Sequence, residues 1–254
     1  GCRREVFEEY FQLISHIIST ISPYLIFGAD ETMLETLLGT KVVVSDDISE
    51  ALASEVESFP HISVMCCHSI MDEFFPHFMI IPTIRSLPPE LKVFTDSSLI
   101  DVACAPSGYM IKDAFLFWTI AFINRLSVYR LKLPKSIRNS RAALILDGHS
   151  SRACPIDLWL LDKANVEVII EPSNTSHVVQ MFDVGLANPF KTSFRQIFYR
   201  LEKNDAAEFP SIIARLWNHA AQAIISSWAA TSGLVNRMSA ARATGLYLFI
   251  LIMF

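Results

Sequence analysis

Two buried strands that each lead towards an acidic residue constrain this chain most. Residues 142–146 form an apolar run that ends at Asp147, which is the pattern of a covered strand whose last carboxylate emerges at a sheet edge. Residues 166–170 form a second apolar run, and the polar loop after it leads to Asp183. We therefore expect both carboxylates near one edge of a sheet.

A third carboxylate follows the same pattern near the start of the chain. Residues 24–29 form an apolar run, and Asp30 comes directly after it. Carboxylate oxygens are the ligands that hard divalent cations prefer. Three acids at the ends of separate elements therefore suggest a metal site.

Composition limits the classes of protein that remain. A chain of 254 residues with 52% hydrophobic residues can bury one sizeable core, and we expect one main domain. The net charge of −5 excludes a surface that is basic throughout, although local basic patches remain open. The cysteines form no CxxC pair and are odd in number, which disfavours a disulfide framework or a zinc site; they are Cys2, Cys66, Cys67, Cys104 and Cys154. The apolar tail 246–254 is too short to span a bilayer as a helix, so no membrane association is expected.

Apolar periodicity predicts an alternation of helices and strands. Strands are expected at 24–29, 61–67, 78–81, 142–146 and 166–170. Helices are expected at 3–21, 110–126, 157–163, 184–203 and 210–230. This order predicts an α/β fold in which helices cover a mixed sheet.

A basic connector precedes the strand that leads to Asp147. Residues 125–141 contain six basic side chains and no acidic one, namely Arg125, Arg130, Lys132, Lys135, Arg138 and Arg141. Such a patch is expected either to hold a phosphate backbone near the acids or to be a solvated loop of one charge sign. Lys191 and Arg195 on the helix after Asp183 are further candidates for phosphate contacts.

The segments around the three acids resemble those of a known family. They read GADET at 28–32, LILDGHSS at 144–151, and EPSNTSHVVQMFDVG followed by PFK at 171–191. These are similar to the acidic boxes of the pogo, Tigger and jerky group of DDE-type transposases, which are related to Tc1 and mariner. The second and third Asp lie 36 positions apart, a spacing typical of the group. WAATSGLV at 228–235 resembles the stretch that closes its catalytic domain.

The resemblance implies a ribonuclease H-like fold, with a mixed sheet and helices on both faces. It implies a linker helix at 1–23, a catalytic domain at 24–235 and an apolar tail of unclear origin at 236–254. Asp30, Asp147 and Asp183 would be catalytic and would hold Mg²⁺ or Mn²⁺, with two ions expected. His149 and Glu31 would lie beside the metal ligands without binding the ions themselves.

The same resemblance implies the partners and the compartment. The expected partners are DNA, as transposon ends and target, and a second copy of the chain in a homodimer. The expected compartment is the nucleus. The expected activity is that of a metal-dependent endonuclease and strand-transferase.

Several positions depart from the group's pattern. Gln180 is followed by Met181 where Pro is usual, and Arg152 stands where a second His is often found. Ser232 is an insertion, and Asn236 replaces a common Pro. The chain opens with Gly1, which suggests a fragment of a longer protein, and it lacks the group's helix-turn-helix region.

These departures keep two hypotheses open. The intact three acids favour a cut-and-paste transposase that cleaves DNA. The altered tail and the missing DNA-binding region favour a domesticated or decayed derivative that binds DNA or chromatin without cleavage. An unrelated α/β domain is the third alternative.

Overall fold

The computed structural model describes residues 4–36, 62–71, 77–82, 87–152, 154–204 and 209–246. Its strands are β1 (Ile26–Leu34), β2 (Ile62–Ser69), β3 (His77–Pro82), β4 (Ile100–Ala105), β5 (Ala142–Leu146) and β6 (Val166–Ile170). Within the described residues, these six strands form one sheet in the order β4-β3-β2-β1-β5-β6.

Helices precede, connect and follow the strands. They are α1 (Arg4–Thr20), α2 (Lys92–Asp96), α3 (Lys112–Lys132), α4 (Lys135–Arg138), α5 (Pro155–Lys163), α6 (Ser176–Val179), α7 (Ala187–Asn204), α8 (Ile212–Thr231) and α9 (Leu234–Ala243). A single π-helical turn, Phe182–Leu186, joins α6 to α7. Across the parts of the chain described above, no helix is long and apolar enough to cross a membrane.

The sheet is mixed, as the sequence predicts. β1 pairs with β2, and β2 with β3, in antiparallel fashion. β5 lies parallel to β1 and β6 lies parallel to β5, while β4 adds a further parallel strand beside β3. An antiparallel β3-β2-β1 unit extended by the parallel strands β5 and β6 is the ribonuclease H-like arrangement, so the predicted fold class is confirmed.

Helices cover both faces of the sheet, because side chains alternate along each strand. On one face, the Phe27 ring of β1 packs edge-on against Phe122 and Tyr129 of α3. On the other, His77 of β3 packs against Phe190 of α7 and against Trp228 of α8. The apolar residues of α1 that recur at helical spacing, Tyr10, Ile14 and Ile17, also join the buried core, together with Ile21 directly after the helix.

The strands around the acids agree with the sequence prediction, except for β1. β5 and β6 have the predicted bounds. β1 runs on to Leu34 because antiparallel pairing with β2 continues to that residue. The expectation that Asp30 ends its strand is therefore wrong, and Asp30 lies within β1. β4 was not expected, since Asp101 interrupts its apolar residues and three of the others are small residues, Ala103, Cys104 and Ala105.

The helices differ from the predictions mainly at their ends. α3 continues to Lys132, and α7 begins at Ala187 because the π-helical turn precedes it. Residues 234–243, most of which the sequence analysis assigns to a tail, form α9, and Ala240 and Ala241 are buried there. Residues 247–254, which form all but the first residue of the apolar stretch 246–254, lie outside the described residues.

Candidate active site

Asp30 and Asp147 meet where the pairing of β1 with β5 ends. The last paired residues of these parallel strands are Gly28 and Ile145. Extending this register by two residues brings Asp30 opposite Asp147, which directly follows β5. The side chain of Asp30 is buried, and that of Asp147 is partly exposed. The sheet therefore gathers two of the three predicted carboxylates at one edge.

Arg152 joins these two carboxylates. Its guanidinium Nη2 lies 3.4 Å from Asp30 Oδ1, and its Nη1 pairs with Asp147 Oδ1. The residue is only 3% exposed, and it ends a short 3₁₀ turn, Ser150–Arg152, that follows β5. In the sequence Arg152 is visible only as a departure from a family pattern, whereas in the fold it forms the ionic centre of this site.

Asp183 reaches the same cluster from the π-helical turn. Gly185 in that turn lies so close to α9 that a Cβ there would be 2.5 Å from Ala240 Cβ. Phe182, also in the turn, is buried beneath Asp183 and packs against Trp228. π-helical turns occur frequently at functional sites. The side chain of Asp183 is exposed, and its negative charge contributes to the raised pKa of Asp30.

The acids of this cluster act on one another. Burial raises the pKa of Asp30 to about 6; the Arg152 guanidinium opposes this shift, and the negative charge of Asp183 adds to it. Burial also raises the pKa of a fourth acid, Glu171, to about 8, with contributions from Asp30 and Asp183 in the same direction. Arg152 is the cation that opposes the pKa increase of both Asp30 and Glu171, so several negative charges lie around it.

Glu171 was missed by the sequence analysis. It follows β6 as Asp147 follows β5, and its backbone N–H donates to the Leu146 carbonyl oxygen over 2.8 Å. The residue is 3% exposed. The rule that identified Asp147, an acid directly after a buried strand, would also have identified Glu171.

The two predicted supporting residues occupy different positions. Glu31 accepts a hydrogen bond from the backbone N–H of Met110, 3.2 Å away, just before α3. Its side chain points to the opposite face of the sheet from Asp30, because neighbouring strand residues alternate. His149 is exposed, and its Nδ1 lies 2.8 Å from Ser151 Oγ. Neither side chain contacts the three aspartates through a hydrogen bond that the structure shows.

The basic connector lies at the far end of the parallel strands from the acids. Arg130 donates to the backbone carbonyl oxygens of Ala164 and Asn165, next to the start of β6. β5 spans about 13 Å between its ends at about 3.3 Å per residue. The expectation that this connector lies near the acids therefore does not match its position.

All four arginines of this connector bind the protein itself. Arg141 lies 3.3 Å from the carboxylate of Glu167 on β6. Arg130 also donates to the Ser140 carbonyl oxygen, and Arg138 donates to those of Leu131 and Leu133. Arg125 forms an ion pair of 3.2 Å with Asp101 on β4. Lys132 and Lys135 are exposed. The contacts of these four arginines explain their presence by stabilisation of the fold.

Lys191 lies closer to the acids. Burial keeps the pKa of the Cys66 thiol well above its ordinary value, and the Lys191 ammonium acts in the opposite direction. Cys66 is the residue of β2 that pairs with Asp30. Arg195, one turn further along α7, approaches Glu35 at 4.0 Å, and both side chains are well exposed. These two cations therefore line the face of the sheet that carries Asp30.

The chemistry of the acids suits a hard divalent cation. Asp30, Asp147 and Asp183 offer carboxylate oxygens, which Mg²⁺ and Mn²⁺ prefer. In the part of the chain that the structure describes, no three acidic, His or Cys side chains lie close enough together to hold one ion as they stand. The guanidinium of Arg152 already pairs with two of the acids. The donor chemistry fits a metal, and Arg152 is a competing cation.

Comparison with known sequences identifies the family. The sequence model of the DDE superfamily endonuclease matches residues 61–232. The chain belongs to this family. Asp147 and Asp183 lie within the residues of this chain that the family model matches, and Asp30 precedes them. No curated protein matches the chain significantly.

Solved structures of a mariner transposase are similar to this chain. The catalytic domain of Mos1 mariner transposase is 11% identical with a TM-score of 0.45, and the match covers 90% of this chain and 93% of the other. The Mos1 mariner paired-end complex with Mn is 11% identical with a TM-score of 0.47, and the match covers 90% of this chain and 62% of the other.

Proposed function

We propose that this chain is the catalytic domain of a cut-and-paste transposase, which cuts and joins DNA phosphodiesters with divalent ions held by Asp30, Asp147 and Asp183. The observation that carries the proposal is the meeting of Asp30 and Asp147 at the end of β5, with Asp183 near enough to raise the pKa of Asp30. Membership of the family described as DDE superfamily endonuclease supports a reaction at DNA phosphodiesters. The resemblance to the pogo, Tigger and jerky group belongs to the same proposal.

Each part of the site has a role in this proposal. The three carboxylates hold the ions, and the rigid strands β1 and β5 fix two of them with respect to each other. Bound Mg²⁺ or Mn²⁺ supplies the means to activate water or a 3′-hydroxyl and to stabilise the leaving oxygen. Lys191 and Arg195 contact DNA phosphates on the face that carries Asp30.

The proposal includes the partners of the site. The substrate is DNA, as transposon ends and target, and the site of action is the nucleus. A homodimer is the assembly that would bring two ends together. The basic connector, with Lys132 and Lys135 exposed near its middle, contacts DNA further from the acids.

The experiment that tests the proposal is nicking of supercoiled plasmid DNA with Mg²⁺ or Mn²⁺, beside the variant Asp147→Asn. The variant removes one negative charge and keeps the size of the side chain. We expect nicking that requires the metal and is at least about 100-fold slower in the variant, because the carboxylates hold the ions. Equal nicking by both proteins would reject the assigned site.

Arg152 favours a second candidate function. A guanidinium that pairs with two of the three acids would weaken metal binding, as expected in a derivative that binds DNA without cutting it. In that case both proteins bind DNA with the same affinity, and neither nicks it at any metal concentration. Binding is measured by fluorescence anisotropy with a labelled duplex in the same buffers.

A further inference from the structure

Arg152 is placed as an internal cation of the acid cluster. The residue is almost fully buried and has ionic contacts with both Asp30 and Asp147. Its charge also interacts with Glu171, which lies on the other side of the strand end. Three acids from β1 and from the segments after β5 and β6 therefore surround one guanidinium.

A guanidinium is a lasting cation in this position. It carries its positive charge over the whole pH range in which proteins are stable, and it has no acceptor atom with which to bind a metal. A metal ion between Asp30 and Asp147 would meet this charge at contact distance, where repulsion in a buried site is strong. A metal ion is therefore excluded from the space between these two carboxylates while Arg152 remains there.

The balance of charge leads to the same conclusion. Three aspartates offset by one guanidinium leave two negative charges, which one divalent ion neutralises. Two divalent ions would leave a net charge of two positive units beside Arg152, and of one positive unit if Arg152 were absent. The charge of Arg152 therefore disfavours the second ion.

The exposure of the acids indicates where a single ion has access. Asp183 is exposed and Asp147 is partly exposed, whereas Asp30 is only 8% exposed. The guanidinium lies at the buried Asp30, so an ion has access to the cluster from the side of the more exposed aspartates.

We propose that Arg152 takes the place of one of the two cations, so that the chain binds a single divalent ion among the three aspartates. This inference rests on the proposed function, because it takes the three aspartates as the metal site. It makes Arg152 a residue that determines how many ions the site holds and how tightly.

The test counts Mn²⁺ ions bound per chain by isothermal titration calorimetry and by the electron paramagnetic resonance signal of free Mn²⁺. The wild-type chain is compared with Arg152→His, which restores the residue often found at this position in the resembling group, and with Arg152→Lys, which keeps the charge. We expect one ion in the wild type and in Arg152→Lys. We expect a second ion and at least tenfold tighter binding of the first in Arg152→His.

Each outcome decides between the proposals. Two ions in the wild type, bound as tightly as in Arg152→His, would overturn the inference and leave the proposed function standing. Absence of bound Mn²⁺ in every folded variant would overturn the metal site and the inference with it. Should the variants fail to fold, the number of ions in the wild type alone still decides, since the inference requires one.

Discussion

The guanidinium of Arg152 lies 3.4 Å from the carboxylate of Asp30, although 122 positions separate the two residues in the chain. The same guanidinium pairs with Asp147. The contact connects the turn after β5 to the middle of β1, and it lies on the side of the sheet covered by the π-helical turn. Two of the proposed metal ligands are thus neutralised in part by the protein itself.

Removal of this guanidinium should destabilise the metal-free protein. Arg152→Ala leaves the buried Asp30 carboxylate without its cation, and loss of one partner of a buried ion pair typically costs about 3 kcal/mol or more. We expect a loss of about 3 kcal/mol in the free energy of unfolding, measured by urea denaturation in EDTA. The control is Arg195→Ala, whose exposed contact with Glu35 contributes less than about 1 kcal/mol. Equal losses in both variants would contradict the role of Arg152.

The pKa of Glu171 predicts a dependence of stability on pH. Burial, then the charges of Asp30 and Asp183, raise this pKa to about 8, and Arg152 opposes the shift. The folded state therefore holds the proton more tightly than the unfolded state. Stability from the protonated carboxyl is present below the unfolded pKa of about 4.5 and is lost as pH rises towards about 8.

Glu171→Gln should remove this dependence, because the amide imitates the protonated acid. Tyr10 of α1 also faces this carboxyl, since Glu171 helps to raise the pKa of the phenol beyond the effect of burial. We expect the variant to match the wild type near pH 4.5 and to exceed it at pH 8.5 by up to about 4 kcal/mol, measured in EDTA. Glu167→Gln, at a half-exposed position on β6, is the control. A constant difference across the pH range would contradict the prediction.

The close approach of Gly185 to α9 should matter for the position of Asp183. Gly185→Ala places a Cβ 2.5 Å from Ala240 Cβ and 2.9 Å from its Cα, so α9 or the π-helical turn must move. We expect a loss of about 1 to 3 kcal/mol in the free energy of unfolding. Adding Ala240→Gly removes the nearer atom and should recover part of that loss. No recovery in the double variant would show that the close approach is not the cause.

Lys191 should contribute to DNA binding more than the lysines of the connector do. It lies near Cys66, the partner of Asp30 in β2, whereas Lys132 lies at the end of α3. We expect Lys191→Ala to lower the affinity for duplex DNA and to reduce the slope of log affinity against log salt by about 1. Lys132→Ala is the matched control, measured by the same anisotropy titrations. A larger effect of the control would place DNA elsewhere on the surface.

The sequence predicts a strand well where the pattern of its own residues matches the burial and pairing that the strand has in the folded sheet. β5 is apolar throughout and β6 is apolar except for Glu167, and the structure gives both the predicted bounds. β1 extends beyond its apolar run because β2 supplies a partner as far as Leu34. β4 has Asp101 near its start, and its pairing with β3 is not visible in its own residues. Strand pairing is tertiary information that a single segment does not contain.

The same limit applies to the candidate site. Asp30, Asp147 and Asp183 were selected from apolar runs and family motifs. Arg152 was recognised only as an altered position, since nothing near it in sequence indicates a partner 122 residues away. The arginines of the basic connector show the reverse case. Their charge suggests DNA, but three of them bind backbone carbonyls or Asp101, as Arg130 does at Ala164.

Plasmid nicking over a series of Mn²⁺ concentrations, with wild type, Asp147→Asn and Arg152→His side by side, decides whether these carboxylates form a metal-dependent site. We expect nicking that needs Mn²⁺, that is lost in Asp147→Asn, and that reaches half its maximal rate at a Mn²⁺ concentration at least tenfold lower in Arg152→His. Nicking that persists in EDTA, or that is equal in Asp147→Asn, would contradict a metal-dependent site at these carboxylates.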